Sequence, residues 1–244
     1  MKTILIQGAI PGEIESYLNF YKNLKQQKVD GFDFWVGKYK DVQIVISLTD
    51  IGVMNATEST VIAAYKFKPD VVINQGTCGG HLNSLKVGDL IVAEDAVYMN
   101  KFRSPAKKEG EGSNALEWVP VLKGCFRVKA TDWLVELAKS VTKGDDVYFG
   151  TIGTGDMFSQ EIDRIKHLRE LFGEICEDME TLASYKVCEN FNIPHIAIRV
   201  ISNNETVEGL GTRRDNMNVI IPKITNFITT YIDEIIKNKN IKTK

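Results

Sequence analysis

Asp70-Val71-Val72-Ile73-Asn74 runs without interruption into Gln75-Gly76-Thr77-Cys78-Gly79-Gly80. The first five residues are too apolar to give a strand a wet face, so they predict a strand buried on both sides. The glycines at 76, 79 and 80 then predict a tight turn in which backbone N–H groups come close to a small ligand. Open α/β sheets bind their ligands just beyond the carboxyl ends of such strands.

The pattern extends in both directions from this segment. Residues 3–7 form another buried apolar run, stopped by Gly8, and 32–38 and 42–48 predict two strands joined by a tight polar turn. Residues 53–67 have helical spacing. Further along, 89–98, 125–129, 147–152 and 194–201 are strand-like, whereas 159–172 and 180–191 are helical. Pro222 suits the first turn of a last helix, with Ile224, Phe227, Ile228, Tyr231, Ile232 and Ile235 on its inner face. This alternation predicts one α/β domain over residues 1–244: three layers, α/β/α, around a twisted, mostly parallel central sheet. Two polar stretches, 103–114 and 204–215, read as loops; the second follows a strand end and is the better placed for a ligand.

Composition narrows the function. A chain of 244 residues hides roughly 70% of its unfolded surface on folding, ample for a core without metal or disulfide staples. The formal net charge of −2 argues against nucleic acid as a partner, because neutralising phosphates takes clustered Lys and Arg. Four cysteines show no C-x-x-C spacing, and His81, His167 and His195 are scattered, so no metal site is expected. No run approaches the ~18 apolar residues of a membrane span, and the opening apolar run is too short for a signal peptide. A soluble, cytoplasmic protein is expected.

Four segments at predicted element ends carry chemistry: Gly8-Ala9-Ile10-Pro11-Gly12-Glu13, residues 74–80, Glu177-Asp178-Met179-Glu180, and Arg199-Val200-Ile201-Ser202-Asn203-Asn204. None fits G-x-G-x-x-G or the P-loop. Taken singly, each reads as an ordinary turn. In this order, together with Leu85-Lys86-Val87-Gly88-Asp89 and Gly155-Asp156-Met157-Phe158, they resemble the purine nucleoside phosphorylase and nucleosidase superfamily, and most of all the 5′-methylthioadenosine/S-adenosylhomocysteine nucleosidases.

The resemblance covers nearly the whole chain and implies a nucleoside phosphorylase-like fold without a cofactor, a homodimer, and a cytoplasmic role in methionine salvage. It also implies cleavage of the bond between a purine and a ribose, through an oxocarbenium-like sugar. By that likeness Glu13 activates water, Glu180 holds the ribose hydroxyls and Met179 packs on the sugar. Thr77 helps place the water, Phe158 stacks on the purine, and Arg199 orients Glu13 or Glu180. Ile51, Cys78, Gly79, Ser159 and Ser202 complete the substrate-binding set. The arginines with which the superfamily's phosphorylases hold phosphate are missing: their places read Pro11-Gly12-Glu13 and Ile73-Asn74-Gln75-Gly76. Water is therefore the expected nucleophile.

One departure matters. The nucleosidases carry an aspartic acid after Ile-Ser, as the acid toward N7 of adenine, and here the residue is Asn203. An amide donates a hydrogen bond but releases no proton at useful cost. Three readings stay open: hydrolysis of 5′-methylthioadenosine or S-adenosylhomocysteine, action as hydrolase or phosphorylase on 6-oxopurine nucleosides such as inosine, or a nucleoside sensor that has lost its acid. Arg213 and Arg214 would suit an acidic or polar 5′ substituent, but read somewhat better as a solvated basic pair next to Asp215.

Overall fold

The structure, a computed structural model, describes residues 1–121, 126–144, 146–204, 206 and 213–238, with the backbone alone over 213–216. The chain opens with β1 (Lys2–Gly8) and α1 (Pro11–Phe20), then β2 (Lys25–Val29), β3 (Phe32–Tyr39) and β4 (Val42–Leu48). Next come α2 (Val53–Phe67), β5 (Val71–Gly80) and β6 (Leu90–Tyr98). A short pair, β7 (Phe102–Arg103) and β8 (Val119–Pro120), precedes β9 (Arg127–Lys129) and α3 (Asp132–Val141). The remainder is β10 (Val147–Thr154), α4 (Ile162–Phe172), β11 (Cys176–Asp178), α5 (Thr181–Phe191), β12 (His195–Asn204) and α6 (Arg213–Lys237).

The main sheet has the order β11-β10-β6-β12-β5-β1-β4-β3-β2. Its centre is parallel: β4, β1, β5 and β12 run together, as do β6, β10 and β11. β12 meets β6 antiparallel, and β2, β3 and β4 form an antiparallel meander at the edge. Short β11 pairs with β10 on one side and antiparallel with β5 on the other, so the sheet closes on itself at this end, whereas the sequence predicts an open one. The closing contacts are Cys176 with Gly80 and Glu177 with Gly79. A β-carbon on either glycine would make only ordinary contacts, 3.4 Å or more from the nearest atoms.

Alternate residues of the parallel strands face opposite layers. Ile4, Ile6, Ile44, Ile46 and Ile73 pack with Ile14 and Tyr17 of α1 and with Ile224 and Ile228 of α6. Leu5, Val45 and Val72 point the other way, to Ala63 and Ala64 of α2 and Cys188 of α5. A period of two explains why these strands are apolar throughout.

Three expectations need correcting. The glycine-rich segment is not a turn: β5 continues as strand to Gly80, paired residue by residue with β12. Pro222 does not start the last helix but lies within α6. There the burial of Ile220, Ile221 and Ile224 offsets the hydrogen bond that a proline removes. Helices α1 and α3 and strand β2, absent from the pattern reading, are present. Residues 122–125 and most of the 204–215 loop lie outside the described residues, as do the side chains of Arg213 and Arg214.

Candidate active site

β1, β5, β11 and β12 end at one cleft, together with the start of α1, the segment before α2 and residues 157–158. Its wall includes Ala9, Glu13, Ile51, Thr77, Cys78, Gly79, Phe158, Met179, Glu180, Ser202 and Asn203, and also Met157, Glu177 and Asp178.

Glu13 stands in the first turn of α1, where the helix presents backbone donors and favours negative charge. Its Oε2 accepts from the N–H of Ala9 at 2.9 Å and of Ile10 at 3.4 Å. Its Oε1 accepts from Thr77 N at 2.8 Å and Thr77 Oγ1 at 3.0 Å. This carboxylate, only 3% exposed, is fixed from two elements 64 residues apart in sequence. Gly76 makes the approach possible, since a β-carbon there would stand 2.8 Å from Glu13 Oε1.

Glu180 ends the β11 segment and precedes α5. Its Oε1 accepts from Gly52 N at 3.1 Å, just ahead of α2, and Asp156 Oδ1 accepts from the next amide, Val53 N, at 2.8 Å. Burial, followed by the charge of Asp178, pushes the Glu180 carboxyl up to about 7, with Arg199 opposing. Arg199 itself does not line the cleft. It lies behind the wall, 1% exposed, donating through Nε to Asp178 Oδ2 at 2.7 Å and through Nη2 to Asn74 Oδ1 and to Thr181 Oγ1 at 2.9 Å. Its distance to Glu180 Oε2 is 3.9 Å. Arg199 thus acts on the cleft through Asp178 and Glu180.

At the end of β12 the pairing slips: Ile201 faces Cys78 and Asn203 faces Gly79, leaving Ser202 as the extra residue. Such a bulge re-aims the side chains around it. Ser202 Oγ lies 3.2 Å from Cys78 O and donates to Asn203 Oδ1 at 2.7 Å, which turns the amide nitrogen of Asn203 toward Gly79. Ser159 is also off the wall; its N–H donates to Glu177 Oε1 at 2.6 Å. At the mouth, Ile51, Met157 and Phe158 are 47%, 37% and 46% exposed.

Ala9, Met157, Glu177 and Asp178 stood within the quoted segments of the sequence, which gave none of them a role in the site. The run Glu177-Asp178-Met179-Glu180 holds three acids, a density that could have drawn attention to the first two. The pairing of Asp178 with Arg199 had no local signal. Among the described residues there is no group of three or more His, Cys, Asp or Glu arranged for a metal ion, and no helix long and apolar enough to cross a membrane.

Residues 3–233 match the family model of the phosphorylase superfamily. The 5′-methylthioadenosine/S-adenosylhomocysteine nucleosidase of Bacillus pumilus is 32% identical over 205 residues, covering 82% of this chain and 85% of that protein. The nucleosidase of the same name from Geobacillus thermodenitrificans is 31% identical, covering 83% and 84%. Among solved structures, the fold is shared with a Helicobacter pylori nucleosidase mutant that has 5′-methylthioadenosine in its active site: TM-score 0.82, 24% identity, 96% of this chain and 99% of that one. The Neisseria meningitidis 5′-methylthioadenosine/S-adenosylhomocysteine nucleosidase, in complex with methylthio-immucillin-A, matches with TM-score 0.75 and 26% identity over 97% and 99%.

Proposed function

The chain belongs to the phosphorylase superfamily, and from that premise we propose that it is a purine nucleoside N-ribohydrolase cleaving 5′-methylthioadenosine and S-adenosylhomocysteine to adenine and the thioribose. The observation that carries this reading is the pair of buried carboxylates, Glu13 and Glu180, on the wall of one cleft with Asn203. Glu13 takes a proton from water as its oxygen attacks C1′ of the ribose, and Glu180 accepts hydrogen bonds from the ribose hydroxyls. The C1′–N9 bond breaks with its electron pair going to the base. Asn203 donates a hydrogen bond to N7, and a solvent water supplies the proton that the departing adenine takes up. Thr77 fixes Glu13, Met179 lies against the sugar, and Phe158 covers the purine at the mouth.

Water is the nucleophile because the described wall carries no cation to hold phosphate, and Arg199 is committed to Asp178. The architecture is read as the three-layer form, helices on both faces of the sheet, and the setting as the cytoplasm. A homodimer fits the exposed Ile51, Met54 and Phe158 beside the cleft, an apolar edge that a second copy would cover. Sedimentation showing a stable monomer would remove the dimer from this reading.

Incubation with 5′-methylthioadenosine, with and without phosphate, tests the activity. Adenine release independent of phosphate is expected. Phosphate-dependent release would make the protein a phosphorylase, and binding without any release would make it a sensor.

A further inference from the structure

Helix α2 begins without a cap of its own. Its N-cap is Gly52, which has no side chain to offer, and its first turn holds no acid. The N–H groups that open a helix have no partner within it and carry a partial positive charge. Two acids from distant parts of the chain take them here. Glu180 Oε1 accepts from Gly52 N at 3.1 Å, and Asp156 Oδ1 accepts from Val53 N at 2.8 Å, from 128 and 103 residues away in sequence. Residue 52 must be glycine for both to fit. Its φ is +104°, and a β-carbon there would stand 2.9 Å from Asp156 Oδ1.

Glu180 lines the cleft, but Asp156 stands outside the wall. Asp156 is an exposed side chain at the head of Met157-Phe158, the pair at the mouth. This short segment is fastened at three points. Gly155 N donates to Asp178 O at 3.0 Å and Ser159 N donates to Glu177 Oε1 at 2.6 Å, both on β11. The Asp156 bond is the third, and of the three it is the one that crosses the mouth to α2, where Ile51 stands.

Resting on the nucleosidase reading above, we infer that Asp156 is a positioning residue for the reaction. Through the Val53 amide it holds Met157 and Phe158 over the purine and steadies the start of α2, on which Glu180 leans. Asp156 touches neither the substrate nor the reacting atoms. What it fastens is an apolar cover and the carboxylate that holds the ribose hydroxyls. Both serve the bound nucleoside as much as the transition state, so loss of the bond raises KM and spares kcat. Because the side chain is exposed, its removal leaves no cavity and no buried unpaired charge, and the fold should survive it.

The test compares KM and kcat for 5′-methylthioadenosine in the wild-type protein, Asp156→Ala, Asp156→Asn and Val53→Pro. Val53 is the first residue of α2, a position that accepts proline, so Val53→Pro deletes the N–H while Asp156 stays in place. Asp156→Ala and Val53→Pro should each raise KM roughly tenfold, the usual worth of a hydrogen bond to a charged group. Their kcat should stay within about threefold of wild type. Asp156→Asn, whose amide oxygen still accepts from Val53, should recover most of the affinity. The double variant Asp156→Ala with Val53→Pro should be no worse than either single one, since both remove the same bond.

An unchanged KM in Asp156→Ala overturns the inference and leaves the nucleosidase reading standing. So does an additive double variant. A fall in kcat and Tm that Asp156→Asn does not repair would make Asp156 a support of the fold, and also overturns it. The Ala and Asn variants decide even where Val53→Pro folds poorly. Where the wild type binds the nucleoside without releasing base, the same comparison made on Kd by calorimetry decides. A wild type that neither binds nor cleaves it overturns the nucleosidase reading, and this inference with it.

Discussion

Arg199 donates to Asp178 through Nε at 2.7 Å, and both side chains are buried. The pair is held further by Thr154 Oγ1, 2.6 Å from Asp178 Oδ1, and by Asn74 and Thr181. It lies directly behind the wall on which Glu180 stands, so the strength of this pair governs where Glu180 points and how readily it ionises. Arg199→Met removes the counter-charge and leaves Asp178 buried without a cation, a change that typically costs about 3–5 kcal/mol. Urea denaturation should show a loss of that order. Arg199→Lys keeps the charge but not the planar fork, and should recover only part of the stability while raising KM more than it lowers kcat. A Met variant as stable as wild type would mean that the pair does not organise the wall.

Glu180 sets an acid limit on activity. Its carboxyl is raised to about 7, chiefly by burial and the charge of Asp178, so it takes up a proton below neutrality and loses one acceptor for the ribose hydroxyls. KM for the nucleoside should therefore rise as pH falls through 7, and a profile flat from pH 8 to 5.5 would contradict the assignment. The linkage to stability has the opposite sense. Because the folded value lies above the unfolded one, the folded state binds the extra proton, and Glu180's contribution to stability improves as pH falls from about 7 toward the ordinary glutamate range.

Glu13→Gln should leave nucleoside binding nearly intact and cut turnover by roughly two orders of magnitude or more, the usual worth of a general base. The amide also cannot accept at both ends. With Ala9 N on one oxygen and Thr77 N and Oγ1 on the other, one N–H would face an NH₂ group. A modest fall in Tm should accompany the lost turnover. Lost binding with kcat retained at saturation would make Glu13 a positioning residue.

Asn203→Asp restores an acid at the base. The new carboxyl stands across Gly79 from Glu177, and a neighbouring like charge favours its protonated form. Turnover on 5′-methylthioadenosine should rise by about 10²-fold, while activity on 6-oxopurine nucleosides falls. Assays of both substrates on the one variant check this. An unchanged profile would mean that residue 203 does not touch the base.

The sequence alone was enough for the α/β class and for the order of the four segments whose ends meet at the cleft. Buried parallel strands are apolar without alternation, as residues 70–74 are, and that signal is local. So is the placing of Glu13 just after a strand that ends at Gly8. What the tertiary structure decided lies between segments distant in sequence. Closure of the sheet rests on β11 pairing with both β10 and β5, segments far apart in sequence, and a glycine reads the same in a turn as in a strand. The passage of α6 through Pro222 depends on how much apolar surface its neighbours bury. Arg199 could be placed near carboxylates from its strand, but that it faces Asp178 from behind the wall follows from side-chain direction across paired strands. Glu177 stood in a quoted segment with no role of its own, because what surrounds it is His81 with Glu174 behind it and the Ser159 amide beside it. Those groups converge only once the chain is folded, and a buried charge is defined by the groups that surround it.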